Sequence, residues 1–223
     1  MARIALVTGF EPYGGRRHNP SAALAEALNG AEIGGCRIAG RTLPVTLDGL
    51  DSRVDALLDE FRPALVVALG LWPGETMIRL ERFALNLADF EIADNAGARL
   101  EDAVIAPGGA TALVASLPLR AIEQALLADG IPARLSSTAG SYLCNATLYS
   151  LLAGLARRGW RVPCGFIHLP YLPEQVAEML RAARAGQLEI HHRADLASMD
   201  IAVMERALRT ALRVAATAAP GEG

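Results

Sequence analysis

Ala64-Leu65-Val66-Val67-Ala68-Leu69 runs apolar without a break between Pro63 and Gly70. A strand with no polar position on either of its alternating faces must be covered on both sides, the mark of a central strand in an α/β sheet. Outward from it, strand-like and helix-like segments alternate. Upstream, Leu50 to about Phe61 sets Leu50, Val54, Leu57, Leu58 and Phe61 on one face of a helix. Cys36 to Leu43 reads as a strand. Asn19-Pro20-Ser21 opens a helix to about Leu28, with Asn as cap and Pro in the first turn. Arg3 to Thr8 is a first strand. Downstream, Met77 to Leu87 reads as one extended stretch in which Arg79, Glu81 and Arg82 stand among apolar residues. A loop region from Ala88 to Ala110 holds Asp94-Asn95 and Pro107-Gly108-Gly109. Then follow a helix from about Leu119 to Asp129 stopped by Gly130, a short strand from Ala133 to Ser136, and a helix from about Leu143 to Arg158. A strand from Val162 to His168 and a last helix from about Met199 to Ala216, with Ser198 as its cap, complete the pattern. This is a single α/β domain spanning 1–219, with 220–223 as a frayed tail.

Composition narrows the functions available. A chain of 223 residues holds one substantial core. The net charge is −3 with both signs scattered, so no basic stripe exists to neutralise a phosphate backbone, and nucleic acid is not an expected partner. Arg16-Arg17, the densest basic spot near the start, reads as a solvated loop. Ile4-Ala5-Leu6-Val7 is too short for a signal-peptide core or a membrane span, so the expected location is the cytoplasm, away from any membrane. Thiols stay reduced there, and Cys36, Cys144 and Cys164 are not expected to form a disulfide. An odd cysteine count without a CxxC pair argues against zinc. His191 and His192 are adjacent, so their side chains diverge and make a poor metal pair; His18 lies in the first loop.

Three residues carry candidate chemistry. Cys144 follows the small, flexible run Ser137-Thr138-Ala139-Gly140-Ser141 and stands where a helix begins, so unpaired N–H groups and the helix dipole favour a thiolate there. The same N–H groups could hold a developing oxyanion. The competing reading is inert packing, since free cysteine is among the most buried residue types. His168 ends the strand Gly165-Phe166-Ile167-His168 just before Leu169-Pro170, where a general base could present a free imidazole edge; a histidine satisfied by a backbone carbonyl is the alternative. Glu81 is a carboxylate inside an apolar segment and needs a partner, either His168 or its neighbours Arg79 and Arg82. A Cys–His–carboxylate set is coherent for acyl transfer, although spacing alone does not bring the three together.

Four collinear segments resemble one known family. They are Val7-Thr8-Gly9-Phe10-Glu11-Pro12-Tyr13-Gly14-Gly15 with Asn19-Pro20-Ser21; Glu81-Arg82-Phe83-Ala84-Leu85-Asn86; Ser137 to Asn145 around Cys144; and Gly165 to Pro170 around His168. Together they are similar to pyroglutamyl peptidase I, also called pyrrolidone-carboxylate peptidase. The resemblance implies a three-layer α/β/α sandwich around a twisted, mostly parallel (mixed) sheet. It implies a cysteine peptidase with no cofactor or metal, which releases pyroglutamate from N-terminally pyroglutamylated peptides and assembles as a homotetramer. By position Cys144 matches the nucleophile, His168 the base and Glu81 the third member. Phe10, Tyr13 and Asn19 match the pocket for the pyroglutamyl ring, with Leu71, Tyr142 and Leu143 bordering the substrate. Two departures stand out: Leu71-Trp72-Pro73-Gly74-Glu75 replaces the family's frequent Gln-Ala-Gly-Gly-Arg, and Tyr13 stands where Phe is usual. They leave open a related cysteine amidase for another small cyclic or N-blocked substrate. A binding protein without turnover is the second alternative. A nucleoside phosphorylase on a similar architecture is a third, by fold analogy alone.

Overall fold

The computed structural model describes residues 3–186 and 196–218. The adjacent histidines His191 and His192 and the expected tail at 220–223 lie outside the described residues. A seven-stranded sheet runs through the middle in the order β2 (Glu32–Ile33), β3 (Cys36–Leu43), β1 (Arg3–Phe10), β4 (Leu65–Leu71), β9 (Cys164–Leu169), β5 (Ile78–Glu81), β8 (Ala133–Ser136). The apolar run that decides the fold is therefore the central strand β4, flanked in parallel by β1 and β9.

Strand alternation sorts the core into two layers. Leu65, Val67 and Leu69 of β4, with Ala5 and Val7 of β1 and Ile167 and Leu169 of β9, pack under α1 (Pro20–Leu28), α3 (Leu119–Ala128) and α6 (Ile201–Ala218). Val66 and Ala68, with Leu6, Cys164 and Phe166, face α2 (Leu50–Phe61) and α4 (Leu143–Arg157). The mixed three-layer sandwich expected from the sequence is what forms. Burying each such Leu, Ile, Val or Phe contributes roughly 1.5–3 kcal/mol, which is why the two helical layers hold without disulfides; Cys36, Cys144 and Cys164 are all free thiols.

Most helix boundaries follow the caps read from the sequence. Asn19 caps α1, its side chain accepting from the Ser21 N–H at 3.1 Å, with Pro20 in the first turn. At α6 the cap differs: Asp200, not Ser198, accepts from the Ala202 N–H at 2.8 Å, and Ser198 bridges Tyr171 instead. The stretch Met77 to Leu87 is not one strand. It breaks at Arg82, whose backbone N–H and guanidinium both go to the Ser136 carbonyl, and splits into β5 and β6 (Phe83–Leu85). Among the described residues β6 pairs only with β7 (Ala112–Val114), a mostly exposed strand that follows the expected loop Ala88 to Ala110 and that the sequence pattern does not announce. An additional helix, α5 (Pro173–Arg184), buries only Gln175, which donates to the His18 carbonyl and accepts from the Leu172 N–H.

β5 runs backwards relative to β3, β1, β4 and β9, as does its neighbour β8. It is antiparallel to β9 and parallel to β8, with Arg79 opposite His168 and Glu81 opposite Phe166. Because Ile78 and Leu80 face the α1, α3 and α6 layer, Arg79 and Glu81 must face α4, as do Phe166 and His168. Sheet register thus sets an acid, a base and a cation on one face, beneath the helix that carries Cys144. Among the described residues no helix is long and apolar enough to cross a membrane.

Candidate active site

α4 begins at Leu143, so Cys144 is its second residue. The approach is made by Gly140, whose φ of 82° lies in the left-handed region that glycine adopts without strain. Tyr142 precedes the first turn in extended conformation and no side chain caps the helix, leaving its early N–H groups beside the thiol. The next residue, Asn145, is fully buried and acts as a strap. Its side chain accepts from the Leu85 N–H at 2.7 Å and donates to the Leu85 and Leu87 carbonyls at 2.9 Å each, tying β6 to the start of α4. Below the thiol is Gly70 of β4, on the α4 face by its place after Val66 and Ala68. A Cβ there would meet the Cys144 Sγ at 2.8 Å and the Phe166 ring at 2.8 Å. Glycine at this point is what lets the helix bring its sulfur down onto the sheet.

His168 sits beside Gly70 in the parallel ladder and is 1 % exposed. Its Nδ1 is 2.8 Å from Oε1 of Glu81, which is wholly buried. A carboxylate can only accept, so Nδ1–H donates and Nε2 keeps its lone pair. The two readings of Glu81 turn out to be compatible, since the same Oε1 also accepts from Arg79 Nε at 2.7 Å. Arg82 takes no part in that pairing; its guanidinium goes to the Ser136 carbonyl and the Ser137 hydroxyl.

Cys144 and His168 open onto one cavity of about 460 Å³, lined also by Tyr13, Leu71, Trp72, Tyr142 and Ile92. Its size and mixture of aromatic and polar groups suit a small ligand. Tyr142 anchors the aromatic wall, with its ring centroid 5.9 Å from Tyr13 and 4.6 Å from Phe90, and its hydroxyl donating to the Ala93 carbonyl at 3.2 Å. Phe10, Asn19 and Leu143, expected at the substrate, are not among the residues that line this cavity. Phe10 and Leu143 are buried in the core, and the Asn19 amide donates to the Glu11 carbonyl while its oxygen caps α1. Arg16 is no free loop residue. It is partly buried, reaches the Tyr13 carbonyl and the Tyr171 hydroxyl at 3.3 Å each, and closes one side of the cavity. Asp89 and Glu91 line it as well.

Electrostatics correct one expectation. The helix start favours a thiolate, but burial, followed by the charge of Glu81, pushes the Cys144 thiol up to about 12. Burial also lowers His168 below its ordinary 6.5, against the hydrogen bond and charge of Glu81. The resting pair is therefore a neutral thiol and a neutral imidazole, and the thiolate has to be made by proton transfer during attack. Acid protonates the unfolded chain's histidine before the folded one, so the stability contributed by the neutral ring is complete above about pH 6.5 and is lost as pH falls through the lower folded value. Activity should follow the same ring. The acid limb of kcat/KM is expected below pH 6.5. A pH–rate profile checks this, and a limb above 6.5 would mean the imidazole already carries the proton.

Among the described residues no group of three or more His, Cys, Asp or Glu side chains could hold a metal ion. What the site can do is nucleophilic acyl chemistry: the arrangement is that of a thiol hydrolase on an α/β/α sandwich. The sequence profile of the pyroglutamyl peptidase family matches residues 3–216. The pyrrolidone-carboxylate peptidase of Pyrococcus furiosus is 42% identical over 175 residues, 78% of this chain and 84% of the relative. That of an Enterobacter species is 39% identical over 201 residues, 90% of this chain and 91% of the relative. Among solved structures, a mutant pyrrolidone carboxyl peptidase from Pyrococcus furiosus superposes with a TM-score of 0.89 at 37% identity, covering 96% of this chain and 99% of that one. The Thermococcus litoralis enzyme gives 0.87 at 34% identity, covering 96% and 93%. The chain belongs to the pyroglutamyl peptidase family of cysteine peptidases.

Proposed function

We propose that the cavity receives an amino-terminal pyroglutamyl residue and that Cys144, His168 and Glu81 cleave the amide bond that follows it. The observation that carries this reading is the shared cavity of Cys144 and His168, with Glu81 hydrogen-bonded to the far side of the imidazole. As the sulfur attacks the carbonyl, its proton passes to His168 Nε2, and the Nδ1–H stays on the ring, held by Glu81. The N–H groups at the start of α4 receive the oxyanion. His168 then returns the proton to the departing amine, leaving a thioester, and a water deprotonated by the same nitrogen releases pyroglutamate and the free thiol. Tyr13 and Tyr142 flank the lactam ring, backed by Phe10, Asn19 and Leu143, and Leu71 borders the scissile side.

Pyroglutamate offers one N–H and one ring carbonyl, and a proline ring lacks that carbonyl, so buried polar partners would reject it. The family likeness extends the proposal to a cofactor-independent homotetramer working in the cytoplasm on N-terminally pyroglutamylated peptides. Release of a fluorescent amine from pyroglutamyl, prolyl, glutaminyl and acetyl-blocked amides tests the substrate. A preference for the pyroglutamyl amide is expected. Preference for another blocked amide would favour the second reading, a related cysteine amidase, which the charged lining of Arg16, Asp89 and Glu91 makes worth testing.

Glu81→Gln separates the third member from a merely structural acid. The amide keeps the size but turns an acceptor pair into one acceptor and one donor, so His168 loses its fixed tautomer and its counter-charge. Turnover should fall by about 10²- to 10⁴-fold with the fold intact by circular dichroism. Wild-type rates in Glu81→Gln would remove the residue from the mechanism.

A further inference from the structure

We propose that Arg79 is a positioning residue for the reaction: its guanidinium, seated on Trp72, fixes the Glu81 carboxylate that orients His168. The inference rests on the Cys144–His168–Glu81 reading and adds to it a group that no substrate atom needs to touch, since Arg79 is not part of the cavity wall while Trp72 is.

Glu81 has no exposed surface. A buried carboxylate requires a counter-charge, and a neutral imidazole does not supply one. Arg79 does. Its Nε and the His168 Nδ1 converge on the single oxygen Oε1, at 2.7 and 2.8 Å, while Oε2 has no hydrogen-bond partner among the described residues. Which oxygen faces the imidazole is therefore decided by where the guanidinium stands, and the guanidinium is held from several sides. Nε also donates to Ser136 Oγ at 3.0 Å, Nη2 to the Thr138 carbonyl at 2.9 Å, and Nη1 to Glu75 Oε2 at 3.4 Å. Its Cζ lies over the Trp72 ring, 3.7 Å from the ring centre, and Trp72 in turn meets the His168 ring edge-on at 4.9 Å. Arg79, Trp72, His168 and Glu81 thus form a closed circuit around the general base.

Trp72 and Glu75 both belong to the loop that follows β4, and buried Glu75 is shared between Arg79 and Arg134, the latter at 2.5 Å. A planar cation whose three nitrogens point to different acceptors is what such a seat accommodates; a lysine keeps the charge but not the fork. The charged and titratable groups that face His168 are Arg79 and Glu81 from β5, Glu75 from the loop after β4 and Cys144 from α4, with Tyr13, Arg16, Asp89, Glu91 and Tyr142 on the walls of the shared cavity. Removing the Arg79 cation leaves both carboxylates, so the imidazole should bind its proton more readily.

Steady-state kinetics on a pyroglutamyl amide, taken across pH for wild type, Arg79→Gln and Arg79→Lys, test the assignment. Arg79→Gln should lower kcat roughly ten- to hundredfold. Its KM should stay within about twofold, since no ground-state contact is lost. The acid limb should rise by roughly one pH unit. Arg79→Lys should bring the acid limb back while recovering kcat only in part. Wild-type kcat and an unmoved acid limb in Arg79→Gln would overturn the proposal. So would equal losses in both variants with the limb unmoved, the signature of a purely structural role. If Arg79→Gln does not fold, full kcat in Arg79→Lys overturns it alone. The pH dependence of iodoacetamide alkylation at Cys144, followed by mass spectrometry, reads the same shift without substrate. A shift seen there between wild type and Arg79→Gln, with a wild type that spares pyroglutamyl amides, would sink the substrate reading and leave Arg79 in its role.

Discussion

Cys144→Ser should turn over a pyroglutamyl amide about 10⁴-fold more slowly than wild type, or not at all, while folding normally. The substitution changes one atom where Sγ rests above Gly70, so neither the packing of α4 nor the cavity wall is disturbed. What changes is acidity and nucleophilicity. His168 is held below its ordinary range by burial, which makes it a weak base, and a hydroxyl is far harder to deprotonate than even a buried thiol. Binding should survive the change, so a pyroglutamyl ligand should still raise the melting temperature of the mutant. Activity within tenfold of wild type would show that the nucleophile lies elsewhere.

His168→Gln should be nearly as damaging near neutrality and should fail in a different way. With the thiol pushed up to about 12 and no base beside it, the thiolate is about one part in 10⁵ at pH 7. The residual rate is then set by hydroxide. It should climb close to tenfold per pH unit for as long as the protein stays folded, instead of reaching the wild-type plateau. A pH profile of the mutant parallel to wild type, merely lower, would mean that His168 orients the substrate and does not move a proton.

The sequence showed the layers of this fold more clearly than the order in which they are laced. Apolar runs, caps and glycine stops located β1, β3, β4, β8, β9 and four of the helices nearly to the residue, because each is decided by local chemistry. α5 carries an apolar stripe, Val176, Met179, Leu180 and Ala183, but the fold leaves that stripe half-buried or exposed and fully buries only Gln175, so the stripe does not mark a core helix. The break at Arg82 depends on the Ser136 carbonyl, far away in sequence. Cys144, His168 and Glu81 were legible as residue types in telling places. Their meeting was not, because it depends on β5 running antiparallel to β9 in a register that sets Arg79 across from His168. Arg79 was visible only as a charge in an apolar segment, and its partner Trp72 as one of two tryptophans, next to Pro73-Gly74. Nothing local marks Asp89, Glu91 or Ile92 as cavity residues.

The reversed strand β5 also bears on when the machinery exists. Acid and base lie on adjacent strands, β5 being one place in from the edge strand β8, and are joined through the backbone ladder, whereas the nucleophile arrives on a helix packed from above. Strands hydrogen-bonded on both sides open less readily than segments tied on one side or by packing alone. The Glu81–His168 pair is therefore held by the ladders of β9 and β8 on either side of β5, and breathing that switches the protein off transiently is expected from the α4 side, by lifting the sulfur away from a base that stays in place.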